Sequence, residues 1–243
     1  MTIGSASGSS ANAFFSSVQG SIPLTILNTG SVTLTTGATL TNTLSALSIS
    51  NGGVFDITNN HLYINYGTGS DPIASIAAWI ASGYDGGSWK GPGIISTFAQ
   101  ANSGSYGIGY ADSADPGNPA NLASGTIEIM YTLLGDANLD GKVNGTDFNL
   151  LAANFNQSVT AGWDKGDFNY DGKVNGSDFV LLAENFNQFA SQSDVSAADV
   201  EALDTFAAAN GISLVNVPEP ASMGLCLLGV IGVVGKRRRA SLS

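Results

Sequence analysis

Oxygen-bearing side chains stand at one fixed spacing twice in this chain. Counting from Asp136 as position 1, Asn138 falls at 3, Asp140 at 5, Gly141 at 6, Asn144 at 9 and Asp147 at 12; counting from Asp167 places Asn169, Asp171, Gly172, Asn175 and Asp178 in the same order. Oxygens at 1, 3, 5, 9 and 12, a backbone carbonyl at 7 and a glycine at 6 for the sharp turn are what a loop needs to wrap a calcium ion. Lys142 and Lys173 occupy position 7, where only the main-chain oxygen is used. Every side-chain donor is a hard oxygen, with no cysteine or histidine nearby, so soft and borderline metals are disfavoured and the ligand number favours calcium over magnesium. Asp, Asn and Gly also build ordinary turns. A turn cluster does not account for two copies that agree out to position 12 and run into the same following pattern.

The loops belong to a longer repeat that positions them. Residues 135–157, GDANLDGKVNGTDFNLLAANFNQ, return 31 positions later as GDFNYDGKVNGSDFVLLAENFNQ, with 18 of 23 positions identical. Repetition of that grade means one structural unit built twice. After each loop, Phe148, Leu151, Ala152 and Phe155, then Phe179, Leu182, Ala183 and Phe186, are spaced as one apolar stripe of a helix. Before the first loop, TIEIMYTL alternates like a strand, and only residues 158–166 separate Gln157 from Asp167. An EF-hand has a helix on both sides of its loop. Here the helix leading in is missing, twice.

A loop plus an exiting helix, in tandem, with Asp at position 12, resembles the dockerin family in its type I pattern. The resemblance covers residues 135–190 and implies an all-α tandem F-hand module with two calcium ions, its helices packed about a pseudo-two-fold axis. It also implies a cohesin-like partner contacted through loop positions 10 and 11, here Gly145, Thr146, Gly176 and Ser177. The family commonly carries larger residues at the first of these positions, where this chain has glycine. A third helix is expected downstream, with Ser196 as N-cap, Asp199 at N3, Val195 and Val200 as a hydrophobic staple and Gly211 as the stop. It reads as a degenerate repeat, within a 191–216 linker region, that packs without binding metal.

Charge and composition narrow the function. Against 19 acidic residues there are 8 basic ones, four of them in the run Lys236, Arg237, Arg238 and Arg239. A net charge of −11 repels phosphate, and no basic face with interleaved aromatics offers nucleic acid a surface. One cysteine, Cys226 in an apolar run, and one histidine, His61, read as a surface residue at a turn, leave few catalytic options. No serine-hydrolase elbow, phosphate loop, zinc-protease or dinucleotide motif occurs. Residues 1–134 hold six acids, Asp56, Asp71, Asp85, Asp112, Asp115 and Glu128. A glycoside hydrolase or lyase needs paired carboxylates in a cleft, so a part in polysaccharide degradation would rest on a catalytic segment upstream. The expectation is a non-enzyme.

From 21 to 70 short β-prone runs follow one another, separated by NTG, TG, NGG and NN. They suit β-solenoid turns or a small sandwich, and loosely resemble the strand repeats of autotransporter-like proteins. Thr33, Thr35, Thr39 and Thr41 raise the further alternative of an ice-binding or adhesive face. Residues 71–134 read as an α+β cap over the open end of the strands. In it, Asp71 and Pro72 start a helix striped with Ile73, Ile76, Ala77 and Ile80 and stopped at Gly83; a second helix is expected over 94–100; and strands are expected near 105–111 and 126–133. Trp89 and Lys90, on a glycine loop, suit either a sugar-stacking platform or closure of the solenoid end.

The carboxyl terminus, 217–243, places Pro218, Glu219 and Pro220 before an apolar run over 221–235 and then the four cations. As a helix that run would be about 22 Å long, a marginal membrane anchor against a ~30 Å bilayer core, with the cations on the cytoplasmic side. This tail resembles the PEP-CTERM sorting signal. The resemblance implies export, an exosortase-type protease as partner, and transient anchoring in the inner membrane before delivery to the surface or extracellular polymer. Residues 1–20 lack the charged and apolar regions of a signal peptide, so Met1 reads as an internal start or the chain as a fragment. The sequence therefore predicts a multidomain chain: a β-rich solenoid or sandwich with a small helical cap, the calcium module and a terminal apolar helix.

Overall fold

The computed structural model describes residues 1–5, 10–20, 22–37, 41–50, 52–188 and 196–213. Its amino-terminal half is a solenoid. Strands β1 (Thr2–Ile3), β2 (Ala11–Phe15), β3 (Pro23–Ile26), β4 (Gly30–Leu34), β5 (Asn42–Leu44), β6 (Ala46–Ile49), β7 (Val54–Asp56) and β8 (His61–Asn65) form a coil that gives successive strands to three sheets. One sheet runs β1-β3-β6, and β2-β4-β7 and β5-β8 begin the other two, every one of these pairs parallel. Thr2 pairs with Thr25, Pro23 with Ala46 and Ser31 with Val54, steps of 23 residues, whereas Ala11–Gly30 is a step of 19 and Asn42–Leu62 one of 20. The turns differ in length while the strands stay in register, which is why the sequence carries no exact period there.

Register turns the period-2 patterns into stacks of like side chains. Leu24 lies under Leu47, Ile26 under Ile49, Val32 under Phe55 and Leu44 under Ile64, and all eight are buried. Each such aliphatic side chain removed from water contributes roughly 1.5–3 kcal/mol. Polar groups inside the coil are paired between turns: Asn42 accepts from the Val18 N–H (3.0 Å) and donates to the His61 carbonyl (2.9 Å). The sandwich alternative falls on the parallel register. A threonine ladder also fails for Thr33, whose neighbours on adjacent turns are Phe14 and Asp56; Thr39 lies outside the described residues.

Past β8 the coil is closed. Helix α1 (Ile73–Tyr84) takes the place of a further strand and buries Ile76, Ala77 and Ile80. Asp71 accepts from the Ile73 N–H (2.8 Å), but the N-cap is Pro72 rather than Asp71, and the helix begins at Ile73. It also runs through Gly83 to Tyr84 and ends on the left-handed Asp85, φ 46°. Gly83 is required by proximity rather than by the turn: a Cβ there would strike the Ile94 carbonyl. The expected helix over 94–100 is instead strand β9 (Gly93–Ile95), which adds to β7, followed by α2 (Thr97–Ala101) capped by Ser96. The β7 edge offers Ile94 and Ile95 ladder partners that a helix would forgo. Trp89 is 2% exposed and packs edge-on to Tyr84 at 5.2 Å and Tyr170 at 5.8 Å, so it closes the end of the fold and presents no sugar-stacking face.

Strands β10 (Tyr106–Asp112) and β11 (Thr126–Leu133) complete the third sheet in the order β10-β11-β8-β5, antiparallel where the coil was parallel. His61 opens β8 rather than sitting in a turn; it is exposed, and its Nδ1 lies 3.2 Å from Glu128 Oε1. β11 leads directly into the first oxygen-rich loop, after which α3 (Gly145–Asn154), α4 (Gly176–Asn185) and α5 (Ala197–Ala209) finish the described chain. The Ser196 and Asp199 capping box on α5 is present as expected, and Gly211 has φ 67°. Val195, Cys226, the apolar run and the sorting residues Pro218, Glu219, Pro220, Lys236, Arg237, Arg238 and Arg239 lie outside the described residues. Among the described residues no helix is long and apolar enough to cross a membrane.

Candidate metal centre

The two loops are superimposable in their hydrogen bonding. Asp136 at position 1 accepts from the N–H groups of Asp140 (3.1 Å) and Gly141 (3.1 Å); Asp167 accepts from Asp171 (3.1 Å) and Gly172 (3.0 Å). At position 3, Asn138 accepts from Asp140 N at 3.0 Å, as Asn169 does from Asp171 N. At position 5, Asp140 and Asp171 accept from the N–H of Lys142 (3.0 Å) and Lys173 (2.9 Å). Asn144 and Asn175 at position 9 are the N-caps of α3 and α4, accepting from Thr146 N and Ser177 N at 2.8 Å. Asp147 and Asp178 at position 12 serve two masters: one oxygen completes the capping box, and the other reaches across the loop to the N–H groups at positions 2 and 3.

That last contact ties the loop shut, because position 12 sits in the first turn of the exiting helix while positions 2 and 3 sit at the start of the loop. Gly141 and Gly172 take φ near +80°, a conformation that glycine adopts at no steric cost. The loops are reciprocal partners. Asn156 N donates to the Val174 carbonyl (2.7 Å) and Asn187 N to the Val143 carbonyl (2.8 Å), the same bond displaced by one repeat. A Cβ on Gly135 would strike Leu182, and one on Gly166 would strike its counterpart Leu151. The pseudo-two-fold packing implied by the repeat is therefore built from paired contacts, with Phe148 and Phe179 edge-to-face at 6.2 Å across it.

The position-1 and position-12 carboxylates are buried, Asp136, Asp147 and Asp178 completely and Asp167 to within 3%. Burial is the main cause that pushes their pKa values up, to about 6 for Asp136 and Asp178 and about 7 for Asp147 and Asp167, with neighbouring aspartates adding to it. Ionised carboxylates collected out of water need a cation. Among the described residues no three Asp, Glu, His or Cys side chains converge tightly enough to hold a metal unaided. The donor set fits calcium only as a mixed cage, with Asn138 and Asn169, Asn144 and Asn175, and the carbonyls of Lys142 and Lys173 supplementing the carboxylates, all hard oxygens.

Two anchoring groups carried no signal in the spacing. Thr132 of β11 donates a short hydrogen bond to Asp136, fixing the position-1 carboxylate from the strand that precedes it. Trp163, fully buried in the short turn before the second loop, donates from Nε1 to the Asp136 carbonyl at 2.7 Å. Thr146 and Ser177 are exposed, but Gly145 and Gly176 are met by the chain itself: a Cβ on Gly145 would lie 2.5 Å from an Asp199 oxygen, and one on Gly176 would lie 3.6 Å from Ile212. α5 and its exit thus lie over both position-10 glycines. A side chain at position 145 would displace Asp199 of α5, whereas one at 176 would begin in ordinary contact with Ile212.

Residues 165–202 match the dockerin type I domain. The matched span takes in the second loop, α4 and the first half of α5, so the helix read as a degenerate unit falls inside the dockerin match, whereas the first repeat lies before it. Residues 216–239 match the PEP-CTERM protein-sorting motif. No curated protein and no solved structure matches the chain. Dockerin type I domains bind calcium and dock onto cohesins, and PEP-CTERM motifs are recognised by exosortase; the chain is an exported protein that carries a docking module and a sorting signal.

Proposed function

We propose that the chain is a non-catalytic surface protein in which two calcium ions, one per loop, fix a dockerin-like module onto the end of a β-solenoid. The observation that carries this reading is the twofold agreement of the loops down to individual hydrogen bonds, with position 12 closing each loop from the helix behind it. Sorting by exosortase would deliver the solenoid to the cell surface or extracellular polymer, and passage through a membrane-anchored stage by the 221–235 run belongs to the same proposal. A cohesin-like module or a surface scaffold is the partner, approached through the exposed Thr146 and Ser177; a carbohydrate ligand has no site assigned.

The acids of residues 1–134 support the non-catalytic reading. Asp56 accepts from Thr58 N (2.8 Å) and Thr97 N (3.1 Å), Glu128 accepts from Tyr63 Oη (2.7 Å), Asp85 from Ser88 (2.8 Å), and Asp115 is paired with Lys165 (2.8 Å). Asp71 accepts from Ile73 N (2.8 Å) and Asp112 from Tyr66 Oη (2.8 Å), so each of these acids is engaged in holding the cap together. A role in polysaccharide degradation would therefore come from a further catalytic segment. The test is calcium titration of the full chain with Trp163 fluorescence as the probe. Two ions taken up per chain, with one lost in Asp136→Ala and one in Asp167→Ala, is the expected result. Uptake of none at millimolar calcium overturns the reading.

A further inference from the structure

Helix α5 carries a second apolar face that the module itself does not use. Leu203 and Ala207 are buried, whereas Ala198, Ala202 and Ala209 are exposed. Together with Phe148 and Ala152 of α3 and the half-buried Phe206, these alanines line an open groove of about 620 Å³. Glu201 and Thr205 are its polar residues. A helix that is apolar on more than one side belongs beneath a cover. A small-molecule site of this size has several polar groups converging to fix orientation. One carboxylate and one hydroxyl in an aliphatic and aromatic trough suit a long apolar surface instead.

The chain supplies such a surface a short way downstream. Residues 214–220 separate Ser213, just past the end of α5, from the apolar run over 221–235. Fully extended, that connection reaches about 25 Å, enough for the chain to reverse and return along α5. The lengths agree, α5 spanning about 20 Å and the run, as a helix, about 22 Å. A return path is antiparallel, so the run would start beside Ala209 and end beside Ala198. Charge selects the same direction. Lys236, Arg237, Arg238 and Arg239 follow the run, and α5 carries Asp199, Glu201 and Asp204 ahead of Thr205 but no acid from there to Ala209. Neither α3 nor α5 holds a lysine or arginine to repel the cations, and among the described residues no ion pair reaches Glu201 or Asp204. Alanines on α5 also match Gly224, Gly229 and Gly232 in the run, since small residues let two helices approach closely.

We propose that the α3–α5 groove seats the chain's own 221–235 segment, antiparallel to α5, with the four cations against Asp199, Glu201 and Asp204. In water the run otherwise presents a continuous apolar surface. Docking removes one side of it from solvent and covers the alanine face of α5 in the same step. The ion pairs at the end of the run set direction more than affinity, because exposed pairs are weak and screened by salt. The groove covers the run on one side and a bilayer covers it on all sides, so a membrane draws the segment out. Removal of the tail then uncovers the groove. That last step rests on the sorting reading; the docking rests on the groove, the reach of the connection and the charges.

Cys226, the single cysteine of the chain, lies within the run and serves as its reporter. Antiparallel pairing brings it beside Thr205. In the full chain, with calcium and without detergent, Thr205→Cys should therefore cross-link to Cys226 within one molecule on mild oxidation, and micelles of a mild detergent should abolish the bond. Thr68→Cys, at an exposed position after β8, is the control and should not cross-link. In the otherwise native chain Cys226 should react slowly with a maleimide, and Ala202→Arg, which fills the groove and repels the cations, should make that reaction several-fold faster. Calcium uptake is measured on each variant alongside. A chain whose loops take up no calcium fails on the earlier reading and takes the groove with it, whereas loops that fill without a cross-link overturn the docking alone. A cross-link between two molecules gives the groove to a second copy and overturns the proposal, as does a Thr205→Cys yield no higher than that of Thr68→Cys, or a labelling rate that Ala202→Arg leaves unchanged.

Discussion

At the scale of the residue, the loop aspartates set opposite pH dependences with and without calcium. Without metal, the folded pKa values of about 6 to 7 for Asp136, Asp147, Asp167 and Asp178 lie above the ordinary 3.8. The folded state then holds more protons than the unfolded state between roughly pH 4 and 7, so stability falls as pH rises through that window. Chelated protein should therefore unfold at higher denaturant at pH 5 than at pH 7.5. With saturating calcium the order reverses, because protons compete for the same oxygens; curves that run parallel in the two conditions would separate the carboxylates from the metal. The donors themselves were legible, since position within a loop fixes their role whatever surrounds it. Thr132 was not, because a lone threonine on a strand says nothing about which residue it will face after the chain has turned.

At the scale of the element, the repeat is informative where its copies disagree. Ala137 and Leu139 become Phe168 and Tyr170 in the second copy, and these are the positions at which the symmetric pair meets asymmetric neighbours. Phe168 packs edge-on to Trp163 at 5.1 Å, and Tyr170 Oη donates to the Ile108 carbonyl (3.0 Å) while accepting from Ile108 N (2.8 Å). Tyr170→Phe removes both bonds from a partly buried site and should cost about 1 kcal/mol, at the low end of the ~1–3 kcal/mol of unsatisfied buried groups, read as a lower denaturant midpoint at constant slope. α5 makes the comparable case on the other side of the module. Phe206 sits 5.3 Å from Phe148, 4.8 Å from Phe155 and 5.4 Å from Phe179, so one side chain of the third helix joins the other two. Phe206→Ala should cost about 2 kcal/mol, below the ~3–5 kcal/mol of a fully buried phenylalanine because Phe206 is only partly buried, and should raise binding of a dye that seeks apolar surface. The stripe predicted these helices. It could not predict that Asp199 of α5 would lie against Gly145, since glycine at a surface position looks like an absence until the neighbour that needs the space is known.

At the scale of the whole molecule, the module and the solenoid cap share one interface, and calcium should be felt on both sides of it. β11 runs without a break into the first loop, and β10 carries Gly107 and Gly109 where the module arrives: a Cβ on Gly107 would lie 2.8 Å from Tyr170 Oη, and one on Gly109 the same distance from Trp163 Nε1. Tyr110 Oη accepts from Gly162 N at 3.1 Å, and Lys165 reaches Asp115. These contacts come from the turn before the second loop and from position 4 within it, so they are held only as firmly as that loop is. Far from them, β3 and β6 rest on Leu24, Ile26, Leu47 and Ile49, stacked between turns of the coil and independent of the loops. Sequence periodicity could expose neither fact, because parallel register between turns and glycine-for-aromatic fits are long-range pairings. Removal of calcium should then speed amide exchange over residues 135–188 and also along β10, while β3 and β6 stay protected. Calcium-dependent protection that stops at residue 135 would mean that the module is tethered to the cap rather than built into it, and that Trp163 and Tyr170 fill space without transmitting the loop's order.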